Sequence, residues 1–307
     1  MKEHIGNVEL DLTYYPGEDF YSDGAIEDEL LQYVKNHDTA DYERFVSERK
    51  NWAVLYHLSP IRENIVSSLQ CIKGKSVLEI GAGCGAITGR LCDLAESVTC
   101  IELSKKRSMI NAYRHKTCDN LKIMVGNFEK VEPNLKQQYD CITLIGVFEY
   151  AASYIDSSDP YHDFIRIIKR HLKPGGSLII AIENRLGMKY FAGAKEDHVS
   201  IYFEGIEGYT NTKGVRTFSK EELENLLQEE GSTSCNFMYP YPDYKFPFSI
   251  YSDERLPEKG ELNMNVLNID QTRQLLFDES KAYDTLAGTE LFPVFSNSFL
   301  LEVKFDE

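Results

Sequence analysis

The feature that most constrains this chain is a glycine-rich turn held between a strand and a helix. Ser76-Val77-Leu78-Glu79-Ile80 is a short strand-forming run, Gly81-Ala82-Gly83-Cys84-Gly85 follows at once, and helical sequence continues through Leu94. Glycines at such a junction let the backbone turn tightly and approach a ligand, while the first turn of the helix offers unpaired N–H groups. This is a nucleotide-type site by position. The glycines alone do not choose the ligand: Gly81-x-Gly83-x-x-Ala86 also fits the dinucleotide fingerprint, which leaves a nicotinamide-dependent oxidoreductase open at this point.

Beyond the turn, strands and helices alternate. Val98 to Glu102 reads as a second strand, Ser104 to His115 as a helix, Leu121 to Val125 as a third strand and Tyr139 to Ile145 as a fourth. Tyr161 to Leu172 reads as a helix, and Pro174-Gly175-Gly176 turns into a fifth strand, Ser177 to Ile182. Cys235 to Tyr239 and Ser298 to Lys304 supply a sixth and a seventh. Alternation at this pace predicts an α/β fold: a seven-stranded, mostly parallel sheet flanked by helices, with right-handed crossovers.

Around this core the chain divides into further segments. Residues 1–70 carry apolar residues at helical spacing and predict an N-terminal helical cap before the core of 71–183. Residues 184–216 are rich in aromatics and glycine and read as an insertion forming a substrate lid. The core resumes over 217–239, where Ser219-Lys220-Glu221-Glu222 has the spacing of a capping box. A second insertion, 240–296, is too long for a structureless loop and is expected to cover substrate; 297–307 is the last strand.

Net charge of −16 repels phosphate backbones, which argues against a nucleic-acid partner. Seven cysteines without a C-x-x-C pair argue against a disulfide framework, and no apolar run reaches the roughly 20 residues that span a bilayer. A cytoplasmic location is expected. The seven histidines are scattered and no H-E-x-x-H occurs, so no metal is predicted.

Three features beside the glycines bear on the cofactor: Glu79, two residues before Gly81; the third glycine, Gly85; and Glu102, which closes the second strand where a carboxylate can accept both ribose hydroxyls. With Gly126-Asn127-Phe128 after strand three and Pro174-Gly175-Gly176 before strand five, the stretch Ser76 to Ile182 resembles the class I S-adenosylmethionine (SAM)-dependent methyltransferases and their Rossmann-like fold. The resemblance implies SAM as cofactor. It places Gly81, Gly83 and Gly85 along the methionine part, with Glu79 polarising that region, and gives the ribose to Glu102. Leu103 would pack on adenine, Asn127 and Phe128 would meet its edge, and Gly146, Val147 and Phe148 would line the sulfonium side. Many members of the family have Asp where this chain has Asn127.

The segment Glu79 to Leu91 with Val98 to Leu103 also looks like the ribosomal-RNA adenine dimethylases. Those enzymes need an Asn/Asp-Pro-Pro-Tyr-like segment after strand four, and this chain has Gly146-Val147-Phe148-Glu149-Tyr150. That segment with Ala181 to Gly187 looks more like small-molecule and saccharide methyltransferases. Tyr56-His57-Leu58-Ser59, Glu183-Asn184-Arg185, Pro242-Asp243-Tyr244-Lys245 and Tyr251-Ser252-Asp253 together are similar to bacterial methyltransferases of surface-polysaccharide assembly, which implies a small-molecule or saccharide acceptor. Methyl transfer is an in-line displacement from an activated donor, so the enzyme must align the acceptor and, for a hydroxyl, remove a proton. The candidate bases are Glu149 and Glu183 near strand ends, with His198 and His57 reaching in from flanking segments. An oxidoreductase using NAD or NADP and a SAM-binding module without turnover are the competing readings.

Overall fold

The computed structural model describes residues 1–19, 21–265 and 273–306. The chain divides into two compact units, Met1–Leu144 with Ile168–Leu178, and Ile145–Ile167 with Ile179–Glu307.

The first unit opens with two strands, β1 (Lys2–Ile5) and β2 (Val8–Tyr14), followed by helices α1 (Ile26–Asn36), α2 (Tyr42–Arg49), α3 (Trp52–Leu58) and α4 (Asn64–Ser67). Then come β3 (Ser76–Ile80), α5 (Thr88–Leu94), β4 (Ser97–Glu102), α6 (Lys105–Arg114), β5 (Leu121–Gly126), α7 (Phe128–Val131) and β6 (Tyr139–Ile145). The strand order is β1-β2-β5-β4-β3-β6. β2, β5, β4, β3 and β6 run parallel, and β1 is antiparallel to β2. Parallel strands buried on both faces read as continuous apolar runs, as in Val98-Thr99-Cys100-Ile101, where every side chain is buried.

The N-terminal cap is therefore not helical throughout, and this corrects the expectation for residues 1–70. Val8, Leu10 and Leu12 alternate with Glu9, Asp11 and Thr13, the period of a half-buried strand, and Val8 and Leu10 are fully buried. Gly6, at φ +60°, sits in the tight hairpin turn that joins the two strands. Helices α1, α2 and α3 do form. Leu30, Val34, Phe45, Val54 and Leu58 pack with Ile110 of α6 and with Cys84 of the glycine turn in one apolar cluster. At about 1.5–3 kcal/mol for each buried aliphatic side chain, this contact holds the helices against the turn.

The second unit contains α8 (Ala151–Tyr154), and α9 (Pro160–His171) and β7 (Leu172–Glu183) each have residues in both units. It continues with α10 (Met188–Phe191), α11 (Lys220–Glu229), β8 (Ser232–Tyr241), β9 (Ser249–Ser252), α12 (Glu279–Leu286), α13 (Leu291–Phe295) and β10 (Ser298–Phe305). The strand order here is β7-β10-β8-β9, with β8 antiparallel to both β10 and β9. Ser219 and Glu222 form the expected capping box at the start of α11. The expectation of seven strands is corrected to ten among the described residues. The seven expected strands are β3 to β8 and β10; the added ones are β1, β2 and β9, and β9 lies inside the segment 240–296. Residues 266–272 of the expected substrate cover lie outside the described residues. No helix among the described residues is long and apolar enough to cross a membrane.

Candidate functional site

In the first unit, Gly81, Gly83 and Gly85 take φ values of +74°, +54° and +76°, the left-handed region that side chains disfavour. They differ in what surrounds them. A Cβ on Gly85 would lie 2.4 Å from Asn111 Oδ1, so that glycine is fixed by packing, whereas a Cβ on Gly83 would meet nothing within 4 Å. Gly83 is the point where a ligand can approach the backbone.

Glu102 ends β4 and is 6% exposed. Its Oε2 accepts the Gly83 N–H at 2.7 Å and its Oε1 accepts the Ser104 N–H at 2.9 Å, which clamps the glycine turn to the start of α6. Each carboxylate oxygen keeps a further lone pair, the capacity that binding a ribose diol requires. Burial raises its pKa, and the Ser104 N–H pulls the other way. Leu103 is half-buried beside it. Asn127 caps α7 by accepting the Glu129 N–H at 3.0 Å through Oδ1, which leaves its NH2 as the group able to face a base; Phe128 is buried in the first turn of that helix.

Glu79 is deeper, 2% exposed. Its Oε2 accepts from the Thr88 hydroxyl at 2.7 Å and the Cys100 thiol at 3.2 Å, the latter from its cross-strand neighbour. Burial pushes its pKa up to about 7, with the hydrogen bonds from Thr88 and Cys100 opposing. A carboxyl with a raised folded-state pKa contributes stability that is complete below its unfolded value of 4.5 and is lost as pH rises through about 7. The unliganded protein is therefore expected to lose on the order of 3 kcal/mol across that window, at 1.36 kcal/mol per unit. Glu79→Gln should flatten it; urea melts at about pH 5, 6 and 8 that keep the same slope in the variant would refute the assignment.

Two further groups of the first unit come from the helical leader. His57 is buried with Nε2 2.7 Å from Asp23 Oδ2; burial lowers its pKa and Asp23 partly offsets this. Its partner ties it to the fold. Arg62 is 6% exposed and its guanidinium lies 4.0 Å from the Tyr56 ring centroid, yet Nε and Nη1 have no hydrogen-bond partner. Burying a cation without an acceptor is costly, so an anionic group is the natural complement of Arg62. Arg114 connects this region to the glycine turn, donating to the carbonyls of both His57 and Cys84 at 2.6 Å.

In the second unit, Gly146 has φ +68°, and a Cβ there would sit 2.8 Å from the Tyr244 hydroxyl. Val147 follows it, buried, and Phe148 is fully buried in an aromatic group with Tyr161, Phe164 and Phe218. The carbonyl of Glu149 accepts from the Arg216 N–H at 3.0 Å and the Tyr161 hydroxyl at 3.1 Å, which fixes this turn.

Glu149, Glu183 and His198, singled out in the sequence as candidate bases, come together in this unit. His198 Nε2 lies 3.6 Å from Glu149 Oε1 and 3.6 Å from Glu183 Oε2, while Nδ1 is 2.8 Å from Glu196 Oε1. Glu183 Oε1 pairs with Lys245 Nζ at 2.6 Å, and Lys245 reaches Asp197 at 2.9 Å. Lys189 pairs with Asp197 at 2.8 Å and lies 3.6 Å from Asp243. Burial alone would lower the pKa of His198, but the charges of Glu183, Glu149 and Glu196 hold it well above the ordinary value. Burial raises that of Glu149. The Oε2 atoms of Glu149 and Glu183 are buried without a hydrogen-bond partner.

Sequence reasoning did not single out Lys189, Glu196 or Asp197 as chemistry-bearing, and it met Lys245 only inside a similarity; Arg62, with Tyr56-His57-Leu58-Ser59 just before the core, it offered as a cap on the cofactor. One signal was present: Lys195-Glu196-Asp197-His198 is a run of four ionisable residues inside a segment otherwise rich in glycine and aromatics.

Residues 78–180 match the methyltransferase domain family. The rat mitochondrial ubiquinone biosynthesis O-methyltransferase is 28% identical over 183 residues, which are 56% of this chain and 50% of that protein. The ubiquinone biosynthesis O-methyltransferase of Rickettsia canadensis is 26% identical over 210 residues, 63% of this chain and 83% of the relative. The ribosomal RNA small subunit methyltransferase A of Borrelia garinii subsp. bavariensis is 33% identical over 101 residues, 33% of this chain and 36% of the relative. Among solved structures, the CcbJ methyltransferase from Streptomyces caelestis aligns with a TM-score of 0.47 at 16% identity, covering 80% of this chain and 90% of that one. The family match begins inside β3 and ends inside β7, and so takes in the glycine turn, Glu102 and Asn127: residues 78–180 are a SAM-dependent methyltransferase domain.

Proposed function

We propose that the whole chain transfers the methyl group of SAM to a hydroxyl oxygen of a small molecule. The first unit holds the cofactor: Gly81 and Gly83 along the methionine, Glu102 on the ribose, Leu103, Asn127 and Phe128 around adenine. Arg62 takes the methionine carboxylate, an acceptor for its unpartnered Nε and Nη1. Gly146 and Val147 are assigned to the sulfonium side as the resemblance implies, and Glu149, Glu183 and His198 to the acceptor chemistry. The observation that carries the oxygen assignment is the buried pair Glu149 and Glu183, whose Oε2 atoms lack hydrogen-bond partners and can accept a hydroxyl proton. The ubiquinone biosynthesis O-methyltransferases among the relatives support oxygen as the acceptor atom. A saccharide hydroxyl, suggested by Glu183-Asn184-Arg185 and Pro242-Asp243-Tyr244-Lys245, is the first class to assay, and a phenolic hydroxyl the second. An RNA base is disfavoured by the net charge of −16 and by Gly146-Val147-Phe148-Glu149-Tyr150 in place of an Asn/Asp-Pro-Pro-Tyr-like segment.

Calorimetric titration with S-adenosylhomocysteine, beside NAD and NADP, tests the cofactor half. Binding of S-adenosylhomocysteine alone is expected, weakened roughly 10- to 100-fold by Glu102→Ala, the loss of hydrogen bonds to a charged acceptor. Binding of NAD or NADP instead would sink the proposal. Release of S-adenosylhomocysteine from SAM with saccharide and phenolic acceptors tests the other half, and a protein that binds the cofactor without turnover on either class is a silent module.

A further inference from the structure

We infer that Glu149, Glu183 and His198 form a binding site for a first-row divalent cation, which binds the acceptor's oxygen. This deepens the reading of the cluster as the acceptor site and names how the hydroxyl is held.

Each of the three residues offers one donor atom, and the three atoms lie within 4.8 Å of one another. The two separations of 3.6 Å from His198 Nε2 are too long for hydrogen bonds. They suit two ligands that share one metal at about 2.0–2.2 Å from each. The carboxylates are 1% and 0% exposed in their side chains, and Oε2 of each lacks a hydrogen-bond partner, so buried acceptor capacity is left open there. The lysines are engaged on other atoms. Lys245 sits on Glu183 Oε1 and Asp197, and Lys189 on Asp197 and Asp243. Among the described residues the ion-pair partner of Glu149 is His198 alone.

The orientation of His198 fits a ligand. Glu196 accepts at Nδ1, and its own carboxylate is fixed by the His198 and Val199 N–H groups at 2.7 and 2.8 Å. The Glu196 carboxylate keeps a proton on Nδ1, and a cation bound between the two glutamates would displace the proton on Nε2 and take that nitrogen as its ligand, the arrangement that orients metal-binding histidines. One imidazole and two carboxylates favour Mn2+, Fe2+ or Zn2+ over an all-oxygen cation such as Ca2+. A bound cation polarises the acceptor hydroxyl as a Lewis acid. The O–H proton passes to the uncoordinated oxygen of Glu149, the oxygen pair forms the bond to the methyl carbon, and the C–S pair returns to sulfur as the thioether. No metal-ligand spacing is readable along the chain because the ligands come from a turn after β6, the end of β7 and the segment after α10.

The test uses the EDTA-stripped full chain without SAM or acceptor, titrated with MnCl2 while free Mn2+ is followed by electron paramagnetic resonance, and with ZnCl2 by calorimetry. One ion per chain is expected. His198→Ala and Glu183→Gln should weaken binding roughly tenfold or more, and Glu196→Gln by about 10–100-fold through loss of the orienting carboxylate. Far-UV circular dichroism and S-adenosylhomocysteine titration on the same variants show whether each is folded; where His198→Ala is not, Glu183→Gln carries the comparison. No saturable binding of either ion to the wild type, or equal binding by folded variants, overturns the site. Neither outcome touches cofactor binding, so the cation site and the methyltransferase reading fail separately.

Discussion

Glu149→Gln should lower kcat by roughly 10²- to 10⁴-fold, the usual worth of a positioned proton acceptor, while the melting temperature stays the same or rises. The two effects have one cause. The Glu149 carboxylate is buried, its Oε2 has no hydrogen-bond partner, and the surroundings oppose its charge enough to raise its pKa. A residue present for stability would not be left so; an isosteric amide removes the buried charge and relieves the cost. The backbone hydrogen bonds from Arg216 and Tyr161 end on the carbonyl of residue 149 and survive the substitution, so the turn should keep its shape. The measurement is paired: steady-state kinetics on whichever acceptor the wild type methylates, and thermal melting without ligand. Activity within a few fold of wild type, or a large loss of melting temperature, would remove Glu149 from the reaction and make it part of the fold.

Legibility in the sequence followed the range of the interactions. The turn from Glu79 to Gly85 and the closing residue Glu102 were readable because the signal is local: strand, glycines and helix occupy adjacent positions, and β3 and β4 are cross-strand neighbours through Glu79 and Cys100. The hairpin of β1 and β2 had an equally local signal in the alternation Val8 to Tyr14, but helical spacing across the following residues outweighed it. β9 is four residues long, and its pairing with β8 depends on the chain turning back after Tyr241, which no periodicity in so short a run declares. Glu149, Glu183 and His198 were each visible as an ionisable residue at a strand end or in a loop. Their convergence was not, because it depends on the path of the segment 184–216 and on Glu196 turning the imidazole. Arg62 shows the same limit from the other side: its residue type was plain, and its missing hydrogen-bond partner exists only in three dimensions.

Arg107→Ala should destabilise the protein by about 3–5 kcal/mol, the cost of leaving a buried charge without its partner. Glu27 of α1 is fully buried, and its Oε1 accepts from Arg107 Nε of α6 at 2.7 Å. Arg107 Nη2 donates to Asp23 at 2.9 Å, and the guanidinium lies 4.4 Å from the Tyr21 ring centroid. Asp23 in turn holds His57. Removing the guanidinium therefore strips Glu27 of its cation in a place water does not reach; the Ser22 hydroxyl and Asp23 N–H that remain are neutral donors. Helix α6 begins directly after the Glu102–Ser104 clamp, so the damage should reach cofactor binding as well as stability. A compensating change separates charge from packing: Glu27→Leu added to Arg107→Met should recover much of the loss, since a buried ion pair replaced by apolar groups of similar volume is often neutral. Urea melts of Arg107→Ala, of the single variants Arg107→Met and Glu27→Leu, and of the double variant make the comparison. A loss below roughly 1 kcal/mol in Arg107→Ala, the range of an exposed pair, would mean that water reaches Glu27 and that the N-terminal helices are not held to α6 by this contact.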